Sequence, residues 1–537
     1  MKKKRILMCA ESHKVNSGFG RYTYEVLKRL HARPDYEIAE FACYENEGFA
    51  KDVPWKVYPN GVKDDHKDIG IYKANPINQF GQWRFEKVLA HFKPDIVFDI
   101  RDYWMFSYQE ISPLRQYYHW IVAPTIDSIP QKQEWLMTFQ NADIVLTHTE
   151  WAADYLRSLN RNINLQNCVS DSVDPNTFKP VSWTKSFHKA KYRVPSGAFI
   201  IGSVMRNQKR KLIAELFASL SAIIKQTQNN KIYLYLHTSY PEMSGWDIPE
   251  LLQEYGVFNN VLFTYYAPHT KKFFVCPYQG PKIVCPDDPN NLAIFPNVVN
   301  GVDNDQLTEI YNIFDIYVQY AICEGLGIPQ LEAASCGIPI FAVNYSGMEE
   351  LTTKLNGVKI EHVLAKELET GSDRAVPINS DFVNKVIDWM NLDPKEQRNK
   401  SRETRKLLVE NYSWEKTAAN LMEVFDRLES KNMWDKPLRI NPSINVPKDL
   451  PNREFVYFII DNVLMAPEIK NTYFIQNLIK SLDQEFVLND PSASNLTQPF
   501  NRDAVVKTLE TYLNNKIYCE QLRNGSVNLS EFNFLHE

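Results

Sequence analysis

Short unbroken apolar runs alternate along this chain with longer stretches whose apolar residues recur every three or four positions. Residues 5–10 (Arg-Ile-Leu-Met-Cys-Ala) form the first run, as expected of a strand buried on both faces. Residues 22–30 follow, with Val26, Leu27 and Leu30 on one helical face. Further strands are predicted at 38–43, 95–100, 118–124 and 143–147, and helices at 85–92 and 150–159. The series then restarts: strands at 199–205, 231–237, 260–266 and 315–319, helices at 212–225 and 306–314. Alternating β and α elements predict parallel sheets covered on both faces. The class is α/β, with two doubly wound halves whose ligands bind beyond the carboxyl ends of the strands.

Composition narrows the field. The 537 residues give a soft prior of about three or four domains. Hydrophobic content is 44% and charged content 23%, which describes a folded and not a disordered chain. Sixty basic and 65 acidic residues leave a formal charge of −5, so no overall basic field points to nucleic acid. The eight cysteines are scattered, which suits a reducing cytoplasm better than a disulfide framework. No apolar stretch reaches the length of a membrane span. The basic start Met1-Lys2-Lys3-Lys4-Arg5 leaves a membrane-peripheral position open.

The chemistry concentrates at Glu324-Gly325-Leu326-Gly327-Ile328-Pro329-Gln330-Leu331-Glu332. This reads as a tight turn after the strand at 315–319, with Gly325 and Gly327 permitting the turn. Pro329 fits the first turn of a helix, where no backbone donor is required, and Gly337 ends it. Free N–H groups at that helix start would face an anion. With a carboxylate on each side to grip hydroxyls, the motif suits a ligand carrying phosphate between two polyols, as a nucleotide sugar does. A second feature is Arg206-Asn207-Gln208-Lys209-Arg210-Lys211, after a strand and before a helix. Cations there oppose the helix dipole unless an anion is bound.

Glu324 and Glu332 resemble the EX7E motif of retaining GT-B glycosyltransferases, in particular the GT4 (glycosyltransferase group 1) family. The family pattern runs roughly E-G-F-G-x-P-x-L-E-A-M-A-x-G-x-P, and this chain has E-G-L-G-I-P-Q-L-E-A-A-S-C-G-I-P. Other segments are similar in the same order. Ser17-Gly18-Phe19-Gly20-Arg21 resembles the first glycine-rich loop, with Ser17 for its first glycine. Asp127 keeps the acid of a His-Asp pair on the acceptor side, with Ile126 for the histidine; a turn or helix-cap aspartate is the competing reading. Ser172-Val173-Asp174-Pro175 resembles the segment before the interdomain linker, and Arg206 and Lys211 have the family's Arg-x4-Lys spacing. Tyr345-Ser346-Gly347-Met348-Glu349-Glu350 is similar to a G-G-x-x-E segment, with Ser346 for the first glycine.

The resemblance covers about residues 5–429. It implies a GT-B fold: two Rossmann-like domains facing a cleft, plus a mostly helical C-terminal extension. The expected organisation is an acceptor domain over 1–190 and a donor domain over 191–412, with an insertion loop at 267–300. A helix over 413–430 crosses back to the first domain, and 431–537 form the extension. The implied donor site is Gly18, Gly20, Arg206, Lys211, Glu324, Gly325, Leu326, Gly327 and Glu332. The implied catalytic set is Glu324, Arg206, Lys211 and Asp127. Glu324 would hold sugar hydroxyls, Glu332 the ribose, and the two cations the diphosphate. No cofactor or metal is expected: the cations replace one, and the nucleotide sugar, a UDP- or GDP-sugar, is a substrate. The acceptor hydroxyl belongs to a glycan, a lipid-linked sugar or another molecule; a modified nucleic-acid base stays open, though net charge does not point to it.

Two other functions compete with this one. A hydrolase or phosphorylase would use Glu324 and Glu332 as its carboxyl pair. Eight helical steps separate their backbones by roughly 12 Å, against about 5–9.5 Å between hydrolase carboxyls. A retired binding protein would not need both glutamates and both cations. Beyond Lys431 the prolines 437, 442, 447 and 451 suggest a spacer. Phe455, Phe458, Ile459, Leu464, Phe474, Leu478 and Leu482 must then bury against something. An appended module for acceptor recognition or assembly is expected, with packing on the first domain as the alternative.

Overall fold

The computed structural model describes residues 3–15, 17–46, 52–182, 184–297, 299–435, 449–459, 461–462, 502–523 and 529. The first sheet contains β1 (Lys4–Glu11), β2 (Tyr36–Asn46), β3 (Lys56–Gly61), β4 (Ile96–Asp99), β5 (His119–Val122), β6 (Ile144–Thr147) and β7 (Leu165–Cys168). Its order is β3-β2-β1-β4-β5-β6-β7, parallel throughout. Leu7 and Cys9 enter the core on one face, Ile6, Met8 and Ala10 the core on the other. Two covered faces explain why this strand is apolar at consecutive positions.

The second sheet has a parallel centre of β8 (Phe199–Val204), β9 (Ile232–His237), β10 (Val261–Ala267), β14 (Ile316–Gln319), β15 (Ile340–Val343) and β16 (Val358–Ile360). The expected insertion loop at 267–300 is corrected here. It contains three antiparallel strands, β11 (Lys272–Pro277), β12 (Lys282–Cys285) and β13 (Asp288–Ile294), which widen the sheet beyond β10. Its prolines and polar residues suggested a loop. Its buried residues Phe273, Ile283, Cys285, Ala293 and Phe295 belong to the sheet's core clusters. A hairpin of β17 (His362–Lys366) and β18 (Asp373–Pro377) reaches the first domain, where the Asp373 amide donates to the Ile129 carbonyl at 2.7 Å.

The helix Trp414–Asp426 begins at Ser413, whose side chain accepts from the Lys416 amide. Trp414, Leu421, Val424 and Phe425 enter the core of the first sheet. Trp434 and the helix Arg502–Arg523 of the extension also lie on that domain, which favours the alternative over a detached module. Trp434 packs at a tilt against Tyr117 with ring centroids 4.7 Å apart, and its indole N–H donates to the Pro94 carbonyl at 2.8 Å. The helix Arg502–Arg523 packs against the helix Phe85–Phe92 and buries Cys519 in the same core. Leu464, Phe474, Leu478 and Leu482 lie outside the described residues.

Candidate functional site

The turn after β14 carries Glu324 and is fixed from behind. Ser346 has φ +55°, a conformation in which a glycine is usual. Its hydroxyl donates to the Glu324 carbonyl at 3.0 Å and accepts from the Glu324 amide at 3.2 Å, while the Gly347 amide donates to the same carbonyl at 3.1 Å. Gly327 has φ +104° and precedes the helix Ile328–Ser335, with Pro329 in its first turn. Gly325 serves a different purpose from the expected one. Its φ is not positive; a Cβ there would lie 2.5 Å from Cγ2 of Thr125 in the first domain. It is a point of close approach between the two domains. Gly18 is another: a Cβ there would lie 2.9 Å from Cδ1 of Ile328.

Between the domains lies a cavity of about 440 Å³. The first domain lines it with Gly18, Asp102, Thr125, Asp127, His148 and Asp171, the second with Arg210, Lys211, Glu324 and the 325–329 turn. Glu324 is 8% exposed. Lys211 donates to its Oε1, Gln319 donates to the same oxygen at 2.8 Å, and Arg210 donates to Oε2 at 3.1 Å. Burial alone would raise this carboxyl, but Lys211 and Arg210 outweigh it and hold it down at about 2. Burial dominates at Lys211 and lowers its ammonium below the usual value despite Glu324. Glu324 raises the Arg210 guanidinium. The result is a buried carboxylate with two cations at the cavity wall.

The sequence-derived residues divide. Gly18, Lys211, Glu324, Gly325, Leu326, Gly327 and Asp127 meet at the cavity. Arg206 does not: its exposed side chain pairs with Glu242 at 3.1 Å, and Arg210 stands at the wall instead. Gly20 lies behind the loop, where a Cβ would run into the carbonyls of Ser12 and Val15. Glu332 is buried outside the lining; it accepts from the Tyr311 hydroxyl at 2.6 Å and from Arg21 of the first domain. Asp127 caps no helix, since the next one, Gln133–Asn141, begins after Lys132. It pairs with Arg374 of β18 at 3.0 Å and accepts from the Cys323 thiol at 3.1 Å, both across the domain boundary. Asp102, His148 and Asp171 were not singled out in the sequence. Each follows β4, β6 or β7 by one to three residues, so the carboxyl-end rule reaches them.

Among the described residues one group has metal-ligand character: His13, Glu40 and Glu45, whose ligating atoms lie within 4.8 Å of one another. Its charges already satisfy one another. His13 pairs with Glu40 at 2.9 Å, Trp55 donates to Glu40 at 2.9 Å, and Lys14 pairs with Glu45 at 3.2 Å. None of the three lines the cavity.

Residues 296–406, which contain the whole Glu324–Glu332 motif, match the family model described as glycosyl transferases group 1. The matched stretch lies wholly within the second domain. A sucrose synthase of Melioribacter roseus is 31% identical over 124 residues, 22% of this chain and 14% of that protein. The chain thus matches about one seventh of that relative's length. Among solved structures, sucrose-phosphate synthase from Thermosynechococcus elongatus superposes with a TM-score of 0.57 at 16% identity, over 80% of this chain and 99% of that one. HepE of Anabaena, in complex with UDP and glucose, gives 0.54 at 14% identity, over 79% and 100%. A glycosyltransferase from Rickettsia africae gives 0.55 at 14%, over 80% and 100%. At these identities the structural likeness concerns fold. Two Rossmann-like halves around a cleft, superposing on these structures over about 80% of the chain, make this a GT-B fold. No helix among the described residues is long and apolar enough to cross a membrane.

Proposed function

We propose that this chain transfers a sugar from a nucleotide-sugar donor, a UDP- or GDP-sugar, to a hydroxyl acceptor, with retention and without a metal. The observation that carries the reading is Glu324, buried and ionised at the wall of the interdomain cavity, with Lys211 and Arg210 on its two oxygens. Glu324 receives the sugar hydroxyls. Lys211 and Arg210 offset the charge that develops on the leaving diphosphate, the term that usually contributes most to catalysis. Arg206 keeps the family spacing but is turned to Glu242, so Arg210 is the stronger candidate for the diphosphate. Glu332 is assigned to the ribose by its place in the motif; in this structure Arg21 and Tyr311 occupy it. Close approach of the domains at Gly325 and Gly18 positions donor and acceptor and excludes water.

The two-carboxylate hydrolase reading loses support from the same geometry. A hydrolytic acid needs a raised carboxyl, whereas Glu324 is held near 2, and Glu332 is outside the cavity lining. Transfer in excess EDTA, followed by NMR of the anomeric proton, tests the proposal. Undiminished turnover is expected, with the donor's anomeric configuration kept in the product. Loss of activity restored by magnesium or manganese contradicts the metal-free part, and an inverted product contradicts retention.

A further inference from the structure

The two walls of the cavity differ in charge. Both lining cations, Arg210 and Lys211, stand on the donor-domain side with Glu324. The first-domain wall carries three carboxylates, Asp102, Asp127 and Asp171, and among the described lining residues no lysine or arginine. Asp127 is offset by Arg374 at 3.0 Å. Asp171 is 7% exposed and pairs with His148, which is 5% exposed, through Nδ1 at 3.2 Å. A carboxylate accepts, so Nδ1 carries a proton towards Asp171, the tautomer that leaves the ring's lone pair at Nε2. That atom is buried and has no hydrogen-bond partner in the protein. The ring is steadied by the edge of Tyr22, with centroids 6.1 Å apart. A buried acceptor atom without a donor costs free energy unless a ligand supplies one.

Resting on the glycosyltransferase reading, we propose that His148, oriented by Asp171, forms with Asp102 and Asp127 the acceptor subsite, and that it takes a neutral or amino-bearing polyol and not a sugar phosphate. A hydroxyl of the acceptor donates to His148 Nε2. Asp102 and Asp127 accept from neighbouring hydroxyl or ammonium groups. A phosphate on this wall would meet carboxylates and no free cation, since Arg374 is held by Asp127 and Glu367. The wall therefore selects by repulsion as well as by hydrogen bonding.

The test uses the full chain with the nucleotide sugar that binds it, and three acceptor probes: glucose, glucosamine and glucose 6-phosphate. Binding of each to the donor-loaded protein is titrated, and donor affinity is measured separately. Glucose and glucosamine are expected to bind at least tenfold more tightly than glucose 6-phosphate. His148→Phe should weaken them at least tenfold with donor affinity unchanged, and His148→Gln, whose amide oxygen still accepts, should restore part of the loss. A preference for glucose 6-phosphate, no binding by any probe, or equal affinities in wild type and His148→Phe overturns the subsite. Failure of every nucleotide sugar to bind the wild-type chain would instead strike the donor reading on which it rests.

Discussion

Glu324 sets the charge balance of the cavity wall through its pairs with Lys211 and Arg210. Its carboxyl falls from an ordinary 4.5 to about 2 because two cations overcome the cost of burying it. The folded value is depressed, so its contribution to stability is complete above 4.5 and is lost as pH falls towards 2. Glu324→Gln is expected to flatten the decline of Tm across that acid window; an unchanged slope would show that the pairing does not hold in solution. Its partners rank by geometry. Lys211→Ala and Arg210→Ala should lower kcat about 10²–10³-fold, the range seen when one preorganised donor is removed. Arg206→Ala should cost less than either, because its side chain faces Glu242 and solvent. Steady-state kinetics on the three variants decide this, and the order fails if Arg206→Ala is the most damaging. The motif supplied Glu324 and Lys211, but spacing cannot say which of several neighbouring cations turns inward. That depends on the strained turn at Leu212, with φ +45°, just before the helix Ile213–Thr227.

At the level of elements, the motif turn is a meeting point of two domains as much as a ligand cradle. Gly325→Ala places a methyl group against Thr125 and should hold the cleft open. We expect KM for both substrates to rise several-fold with little change in Tm, and Thr125→Ser, which removes the opposing Cγ2, to reverse much of the effect. A Gly325→Ala enzyme with wild-type KM would show that this approach is not needed. Strands and helices were legible because each sheet is covered on both faces, which writes unbroken apolar runs such as residues 5–10 into the sequence. The antiparallel strands over 272–294 were not. β13 fully buries Ala293 alone among its residues and alternates poorly, so its polar side chains look like a loop. The first-domain wall was equally hard to read. Asp102, His148 and Asp171 come from three strand ends far apart in sequence, and only the strand order brings them together.

Across the whole molecule, the first domain is completed by residues from the far end of the chain. Trp434 and Cys519 sit in its core, 7% and 1% exposed, and Trp434 also hydrogen-bonds to Pro94. Trp434→Ala should destabilise this domain by about 3–5 kcal/mol, as large aromatic truncations in cores do. Removal of residues 431–537 should cost more and lower Tm by many degrees. Calorimetry that finds the shortened chain as stable as the full one would restore the detached-module reading. The same completion ties the first-domain wall of the cavity to the tail, since the helix Phe85–Phe92 beside the helix Arg502–Arg523 packs on the sheet whose strand β4 leads to Asp102.

The central claim is that a nucleotide sugar occupies the cavity between the domains with its sugar on Glu324. Titration calorimetry with UDP-, GDP-, ADP- and CMP-sugars, each beside its bare nucleotide, addresses it most directly. One nucleotide sugar should bind with one-to-one stoichiometry and more tightly than its nucleotide. Glu324→Ala should weaken that binding at least tenfold, about 1.4 kcal/mol, while the bare nucleotide loses less. Absence of binding across the panel, or the same affinity for the nucleotide sugar in wild type and Glu324→Ala, would contradict the account.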